Sequence, residues 1–391
     1  MRNTNYKILL FCVVTSLYWF SMYTYVPNLS TYAESLGASH KMVGLILGSY
    51  GFTQMLLRIP LGIFSDRINR RKIFINLGIL ISLISALAMG LFKKPIFLLI
   101  FRGLSGVAAA AWVTFTVLFS SYFPENEASK AIGYINSFNS LGQMAAMLLG
   151  GIIAQYLGPQ SPFFLAFAVG VLAFILSFKI VEQKIDKIPI KISALLSVGK
   201  DKNLLVVSGL GILIQLLAFA TVFGFTPIAA EKIGASEFEL GLLSTLSTLP
   251  VIFASAMSGS VFAKRFGEKN SLMAGFLITS LSCIIIPFIK SLNLLYLSQM
   301  LGGFGRGLVM SLLMGLSIKT IEPDRRATAM GFFQAIYGIG MSIGPIMVGF
   351  LSDTVGLSWG FLTAGILGIV GALLSFLLIK SNIYKNQNYS E

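Results

Sequence analysis

Charge is the scarcest property of this chain. Only 11% of its 391 residues are charged and 55% are hydrophobic, where a water-soluble domain carries about 25% charged residues. Such a composition cannot cover a surface that faces water. There is one histidine, His40, and there are two cysteines, Cys12 and Cys283, both inside apolar segments. That supply excludes a zinc constellation and implies no disulfide framework. The 15 acidic residues all fall in loops, tails or segment ends, so no carboxylate relay runs through an apolar segment, and Glu34 at the outer end of span one is the nearest acid to consider. No glycine loop suited to ATP and no nucleophile–base arrangement occurs, which removes ATP-driven work and leaves no catalytic site. The formal charge of +14 does not point to nucleic acid, because the basic residues lie between apolar runs rather than along one stripe.

What the chain has instead is long hydrophobic runs, near the roughly 20 residues that cross a bilayer. Twelve are read, at 7–34, 42–64, 73–92, 96–121, 128–157 and 161–180, then 203–230, 239–263, 271–289, 293–318, 327–351 and 358–379. Backbone groups in hydrocarbon must be satisfied within the segment, so each run is expected to be a helix. The first run continues to about Leu29 without a small-residue cleavage site, and reads as a membrane helix rather than a secretory signal. The expectation is an all-α membrane protein of two six-helix halves, 1–180 and 203–391, joined by a polar linker at 181–202. The linker carries Lys184, Lys187, Lys191, Lys200 and Lys202, and its interspersed isoleucines and leucines suit the membrane surface. With both termini inside, inside segments hold 21 Lys and Arg and outside loops hold five. That asymmetry sets the expected orientation.

The halves repeat. Leu36-Gly37-Ala38-Ser39 returns as Ile233-Gly234-Ala235-Ser236, Gly103 and Gly106 as Gly302 and Gly305, and Gly133 and Gly142 as Gly331 and Gly340. Parallel repeats of this type place a solute site near the midplane, between the halves. Strongly polar side chains in hydrocarbon usually face a bundle interior or a watered cavity. The candidates are Gln54, Arg58, Arg102, Asn136, Asn139, Gln143, Gln215, Gln299, Arg306 and Gln334. Asn136, Asn139 and Gln143 share one helix face, and Gln334, Tyr337 and Met341 repeat that spacing. These groups either line the cavity or tie helices together by hydrogen bonds. Spans three, six, nine and twelve hold almost none and are expected to face lipid. Tyr18, Trp19, Phe20, Tyr23 and Tyr25 crowd span one, as cavity wall, interfacial belt or core packing.

Between the second and third runs lies Gly62-Ile63-Phe64-Ser65-Asp66-Arg67-Ile68-Asn69-Arg70-Arg71. Glycine, three residues, Asp-Arg, one residue, a turn residue and two arginines: this pattern resembles the cytoplasmic loop motif of the major facilitator superfamily. With the repeat, the resemblance covers essentially the whole chain. It implies the twelve-helix fold of that family and transport driven by an ion gradient, here a proton gradient, without a bound cofactor. It also implies that Gly62, Asp66, Arg67, Arg70 and Arg71 form a latch for the outward-facing state; a plain positive-inside anchor is the alternative. The second copy has Ala263-Lys264 around the Asp position, so that latch is weaker. Arg102-Gly103-Leu104-Ser105-Gly106 resembles a second motif of the family, one tied to proton coupling. Pairing of Arg102 with backbone carbonyls or glutamine is the alternative. Arg58 sits one and two turns before Gly62 and Asp66 and is expected to support the latch. Arg306 has Val107 as its counterpart and is the candidate for holding an anionic group. Gly133, Gly142, Gly150 and Gly151 resemble an antiporter motif by spacing, with Ala146-Met147 where Gly-Pro is expected. Gly340, Gly344 and Pro345 form the fuller copy, suited to close packing and a kink.

The expected function is secondary transport of a small organic solute, most plausibly export of drug-like or amphipathic metabolites. Two other readings stay open: import or exchange of an anionic metabolite held by Arg58, Arg102 and Arg306, and a non-transporting membrane sensor. The expected partners are the lipid bilayer and the solute, with no nucleic acid, and the expected form is a monomer in a bacterial plasma membrane.

Overall fold

The computed structural model describes residues 2–68, 70–124, 127–183, 198–322 and 325–379. Most of the linker and the tail from residue 380, with the surface placement expected for the linker, lie outside these. Every regular element among the described residues is helical. In the N-terminal segment these are α1 (Arg2–Tyr23), α2 (Val26–Ser35), α3 (His40–Ile68), α4 (Arg71–Leu91), α5 (Pro95–Ala110), α6 (Trp112–Ser120), α7 (Ala128–Leu157) and α8 (Ser161–Ser177). In the C-terminal segment they are α9 (Lys202–Ala220), α10 (Thr226–Lys232), α11 (Glu237–Met257), α12 (Lys264–Ile284), α13 (Leu292–Lys319), α14 (Arg326–Val355) and α15 (Leu357–Leu378). Two π-helical stretches, Thr221–Phe225 and Ser258–Ala263, join α9 to α10 and α11 to α12.

Ten helical runs among the described residues are long and apolar enough to cross a membrane, and Ser161–Ser177 is a shorter apolar helix. One run, Glu237–Phe288, has 52 residues. A straight helix of that length would reach about 78 Å, far beyond one bilayer. It is two helices across a bend at Gly267, where φ is +79°. The reading at 7–34 becomes α1 and α2, with Pro27 in the first turn of α2, where its missing N–H costs nothing. The reading at 96–121 becomes α5 and α6, parted at Ala111.

The sequence repeat is a repeat of backbone. Gly37 and Gly234 both take left-handed φ, +84° and +95°, a conformation open to glycine at little cost. In both copies the alanine that follows returns its N–H to a carbonyl five residues back, Ala38 to Ala33 and Ala235 to Ala230. The next residue is a serine that caps the coming helix: Ser39 accepts from Met42 N–H and Ser236 from Glu239 N–H, each at 3.4 Å. Packing repeats as well. α1 lies on α7 and α8, α3 on α5, and α4 on α5 and α8; α9 lies on α14 and α15, α11 on α13, and α12 on α13 and α15. At the same place in each copy a glycine lets two backbones meet. A Cβ on Gly142 would run into the Ser16 carbonyl, and one on Gly340 into the Ile212 carbonyl.

α4, α8, α12 and α15 carry rows of exposed apolar side chains, among them Leu77, Ile84, Leu172, Ile175, Leu281, Ile366 and Leu373. That suits helices whose outer faces meet lipid. Where the chain leaves α8, Tyr122 donates its hydroxyl to the Val181 carbonyl; burial pushes this phenol up to about 12, so it stays a donor at neutral pH. Asp201 starts the C-terminal segment by accepting the Leu204 N–H at 2.8 Å. Asp201→Ala is expected to cost about 1 kcal/mol, read as a lower thermal midpoint, with Asp201→Asn retaining nearly all of it.

Candidate functional site

The N-terminal and C-terminal segments meet mainly along two helix pairs, α3 with α14 and α7 with α11, and α2 also packs on α10 and α11. Both seams are built on glycine. A Cβ on Gly44 would strike the Pro345 carbonyl and Gly349 Cα, and one on Gly48 the Ser342 carbonyl. Farther along, Gly51 lies against Met341 and Gly338 against Met55. On the second seam Gly151 and Gly241 face each other; a Cβ on either would stand 2.9 Å from the other's Cα. Polar contacts gather at the same end. Asn28 donates to the Glu237 carboxylate and, at 3.3 Å, to its carbonyl; Phe238 N–H reaches Gln155 Oε1 at 3.5 Å.

The other end, which holds the Gly62–Arg71 loop, lacks this approach. A Cβ at Gly133, Gly259 or Gly331 would meet nothing within 4 Å, and one at Gly62 would touch only Val113 of its own segment. Among the described residues the two segments are thus closely joined at the end bearing His40, and these helix glycines make no such approach at the other end. Gly133 makes no helix contact of the kind expected of it. Gly142, Gly150 and Gly151 do, as do Gly340 and Gly344, which meet the carbonyls of Ile212 and Leu216.

Between the ends sits an aromatic centre. Trp19 packs against Tyr18, Tyr23 and Trp112, with centroids 5.4, 5.7 and 5.3 Å away. Tyr23 meets Phe223 across the segments at 6.0 Å, and Tyr50 stacks on Phe219 at 6.1 Å. Two arginines are set into this centre. Arg58, on α3, donates Nη1 to the Tyr337 hydroxyl at 3.3 Å and to the Gln334 carbonyl at 3.5 Å, both on α14. Arg102, on α5, stands 4.2 Å from the Tyr50 ring centre and donates Nη1 to the Tyr25 hydroxyl at 3.4 Å. Among the described residues, the Nε atoms of Arg58 and Arg102, Gln54 Oε1 and Trp19 Nε1 are buried without a protein partner. Buried polar atoms are normally satisfied, so these four suit a water or a solute.

The structure thus brings Arg58, Tyr337 and the backbone carbonyl of Gln334 together, and sets Arg102 against the Tyr25 and Tyr50 rings. Arg58, expected to support the loop motif, instead reaches the C-terminal segment. Arg306 lies within the C-terminal segment; it is 7% exposed and its Nη2 donates to the Ser247 carbonyl at 3.2 Å. Gln299 is buried beside it on α13, bonded to Ser298. Asn139 accepts from Gln143, and with Asn136 they form a half-buried face of α7; Gln215 is half-buried on α9. In the loop motif, the side chain of Asp66 lies outside the described residues. The chain at Arg71 and Lys72 is held by Glu182, whose two carboxylate oxygens accept their N–H groups at 2.9 and 2.8 Å. Arg67 and Arg70 are exposed.

Sequence reasoning named Glu34 as the nearest acid to consider but missed the pairings that close the His40 end: Glu34 and Asp353 with His40, and Asn28 with Glu237. The one signal available was a lone histidine between two helices with an acid six residues before it. Asp353 is 313 residues away from His40, and no spacing rule links them.

Comparison with known proteins agrees with this architecture. The family model described as Major Facilitator Superfamily matches residues 11–224 and again 208–388. An uncharacterized MFS-type transporter of Methanocaldococcus jannaschii is 27% identical over 90% of this chain and 93% of its own length. The synaptic vesicular amine transporter of Mus musculus is 24% identical over 91% of this chain and 69% of its own. Among solved structures, a bacterial homolog of the human lysosomal transporter Spinster, inward-facing and occupied, superposes with a TM-score of 0.81. It is 17% identical and covers 95% of this chain and 96% of its own.

Proposed function

The chain belongs to the major facilitator superfamily, and from that premise we propose that it exports an amphipathic organic solute by alternating access. The chain is a multi-pass membrane transporter and not an enzyme; solute, direction and coupling are the proposal. Two six-helix halves, 1–180 and 203–391, rock about a central site, with the linker 181–202 and both termini in the cytoplasm of a bacterial cell. Twelve spans follow if α11 and α12 each cross and α8 crosses as a short helix. The charge asymmetry then puts the Gly62–Arg71 loop inside and the His40 end outside. The shut His40 end and parted loop end support an inward-facing state. The loop motif, with Gly62, Asp66, Arg67, Arg70 and Arg71, latches the inner side in the opposite state. A proton gradient drives the cycle, and the monomer is the working unit.

The observation that carries the solute class is the aromatic centre of Trp19, Tyr23, Trp112, Phe219 and Phe223 at the junction of the segments. Such a wall suits a greasy, ring-bearing solute. The similar transporter of Mus musculus, named for amines, supports the same class. A second reading is import or exchange of an organic anion. It draws on the unpartnered Nε atoms of Arg58 and Arg102, and no carboxylate is available mid-membrane to hold a cation.

Purified protein in liposomes separates the two. Export predicts proton-driven uptake, in inverted orientation, of a lipophilic aromatic cation, competed by amphipathic drugs and retained in Arg58→Gln. Uptake confined to an aromatic carboxylate and lost in Arg58→Gln would establish the anion reading. No movement of either, with no change in side accessibility, would favour the non-transporting sensor.

A further inference from the structure

His40, the single histidine of the chain, sits where the two segments close. Its Nε2 lies 2.8 Å from Glu34 Oε1, at the end of α2. Its Nδ1 lies 3.6 Å from Asp353 Oδ1, at the end of α14. Asp353 is not free to turn away. Its two carboxylate oxygens also accept the backbone N–H groups of His40 and Lys41, each at 2.9 Å, so it caps the positive N-terminus of α3 from the other segment. Both ring nitrogens therefore face a carboxylate oxygen. A neutral imidazole has one N–H and one lone pair. One of the two contacts would then set lone pair against lone pair. An imidazolium donates from Nε2 to Glu34 and sets its positive charge beside Asp353.

The surroundings agree. Glu231 and Lys232 of α10 act on Glu34 along with His40, Ser39 donates to Asp353, and Glu237 of α11 is engaged by Asn28. Lys41 is turned away, with Nζ over the Phe350 ring at 5.6 Å, and the Phe225 ring edge covers the imidazole at 6.1 Å. The carboxylates around the ring thus outnumber the cations that could replace its charge. Side-chain exposures of 20% for His40, 27% for Glu34 and 29% for Asp353 leave the cluster open to solvent from its own end.

We propose that His40 is a proton-binding site of the outer gate, whose imidazolium joins Glu34 to Asp353 and holds the two halves shut on that side. With the proton on, the closed arrangement keeps both contacts. With it off, the contact to one carboxylate turns repulsive and the gate opens more readily. Binding of an external proton thus shifts the carrier toward the inward-facing state, and its release shifts it back. The assignment of the gate to the outside rests on the orientation proposed above.

The test uses full-length protein in liposomes with the pH of each side set separately. Spin labels at Tyr156→Cys and Trp359→Cys, exposed positions at the His40 end of α7 and α15, report the width of the gate, while both native thiols are buried. Between about pH 5.5 and 8.5 outside, the closed-to-open ratio of the parent is expected to fall about tenfold, within the usual range of coupling between sites. His40→Gln, which cannot become a cation, is expected to shift less than about twofold. His40→Arg, a permanent cation, is expected to stay closed throughout, and Glu34→Gln to weaken the shift without abolishing protein yield. An unaltered pH shift in His40→Gln overturns the proposal. So does a His40→Arg gate that opens with pH as the parent's does. A His40-dependent shift that follows only the internal pH leaves the proton site standing and overturns the orientation.

Discussion

Gly151→Leu and Gly241→Leu are each expected to stop transport while leaving a folded, insertable protein. Gly151 and Gly241 meet backbone to backbone, and the space where either side chain would grow is filled by the other helix: Glu237 carbonyl and Gly241 Cα at 2.9 Å, or Met147 carbonyl at 2.6 Å. Forcing a side chain into such a contact costs about 1–3 kcal/mol, occasionally more. That shifts a two-state balance by about 5- to 150-fold. The cost falls on the closed His40 end alone, because α7 remains seated on α1 through Gly142 and Gly150, whose contacts lie within its own segment. The leucine variants should therefore populate the state open at the His40 end and lose about 100-fold in transport rate, with Ala at either position in between. Counterflow in liposomes reads the rate, and impermeant thiol labelling of a cysteine on the rim reads the opening. A leucine variant that transports within about threefold of the parent would show that this seam does not set the closed state.

Much of this architecture could be read from the chain before any coordinates, and the reason is physical. Hydrocarbon demands internally bonded backbone, so apolar length reports helices directly. The repeat then reported their equivalence, down to Gly37 and Gly234 with the serine caps that follow. What could not be read was where helices break and which of them cross between segments. The breaks at Thr24 and Ala111 and the π-helical stretch at Thr221–Phe225 interrupt runs that stay apolar throughout, so hydropathy is blind to them. The crossing pairs rest on glycines. A glycine in a membrane helix looks the same whether it seats a helix of its own half, as Gly142 does, or of the other half, as Gly44 does, or faces open space, as Gly133 does.

The candidate site was legible in residue type and less so in partnership. Arg58 and Tyr337 were each singled out as polar groups in apolar runs, and they meet, while Gln334 joins them only through its backbone carbonyl. Their meeting depends on the α3–α14 pairing, which no local spacing encodes. Arg306 was singled out for the same reason and lies among Ser247, Gly302, Gly303 and Cys283, inside one segment. The scarcity of charge made every embedded arginine conspicuous without saying which neighbours it had.

Arg102 is where that scarcity has its largest consequence. Its side chain is 4% exposed, and its described partners are the rings of Tyr50 and Tyr25 and the Tyr25 hydroxyl. A desolvated cation–π contact returns about 2 kcal/mol, while burying a charge costs several. Replacing buried charges by an apolar group of similar volume is often neutral or stabilising, by about 1–4 kcal/mol. Arg102→Met is therefore expected to raise or hold the thermal midpoint of the purified protein. Arg102→Lys, a compact ammonium that cannot stack flat on Tyr50, is expected to lower it. Transport is expected to fall about 100-fold in both variants, the equivalent of about 2.7 kcal/mol, so in Arg102→Met it moves against stability. The reason lies in what Arg102 joins. Tyr25 stands at the break between α1 and α2, and Tyr50 is on the face of α3 that meets Phe219 of the C-terminal segment. One guanidinium thus links the broken helix, α5 and the segment junction. A structural role alone predicts that stability and transport fall together in Arg102→Met. A variant that is more stable and still transports at the parent rate would remove Arg102 from the transport cycle altogether.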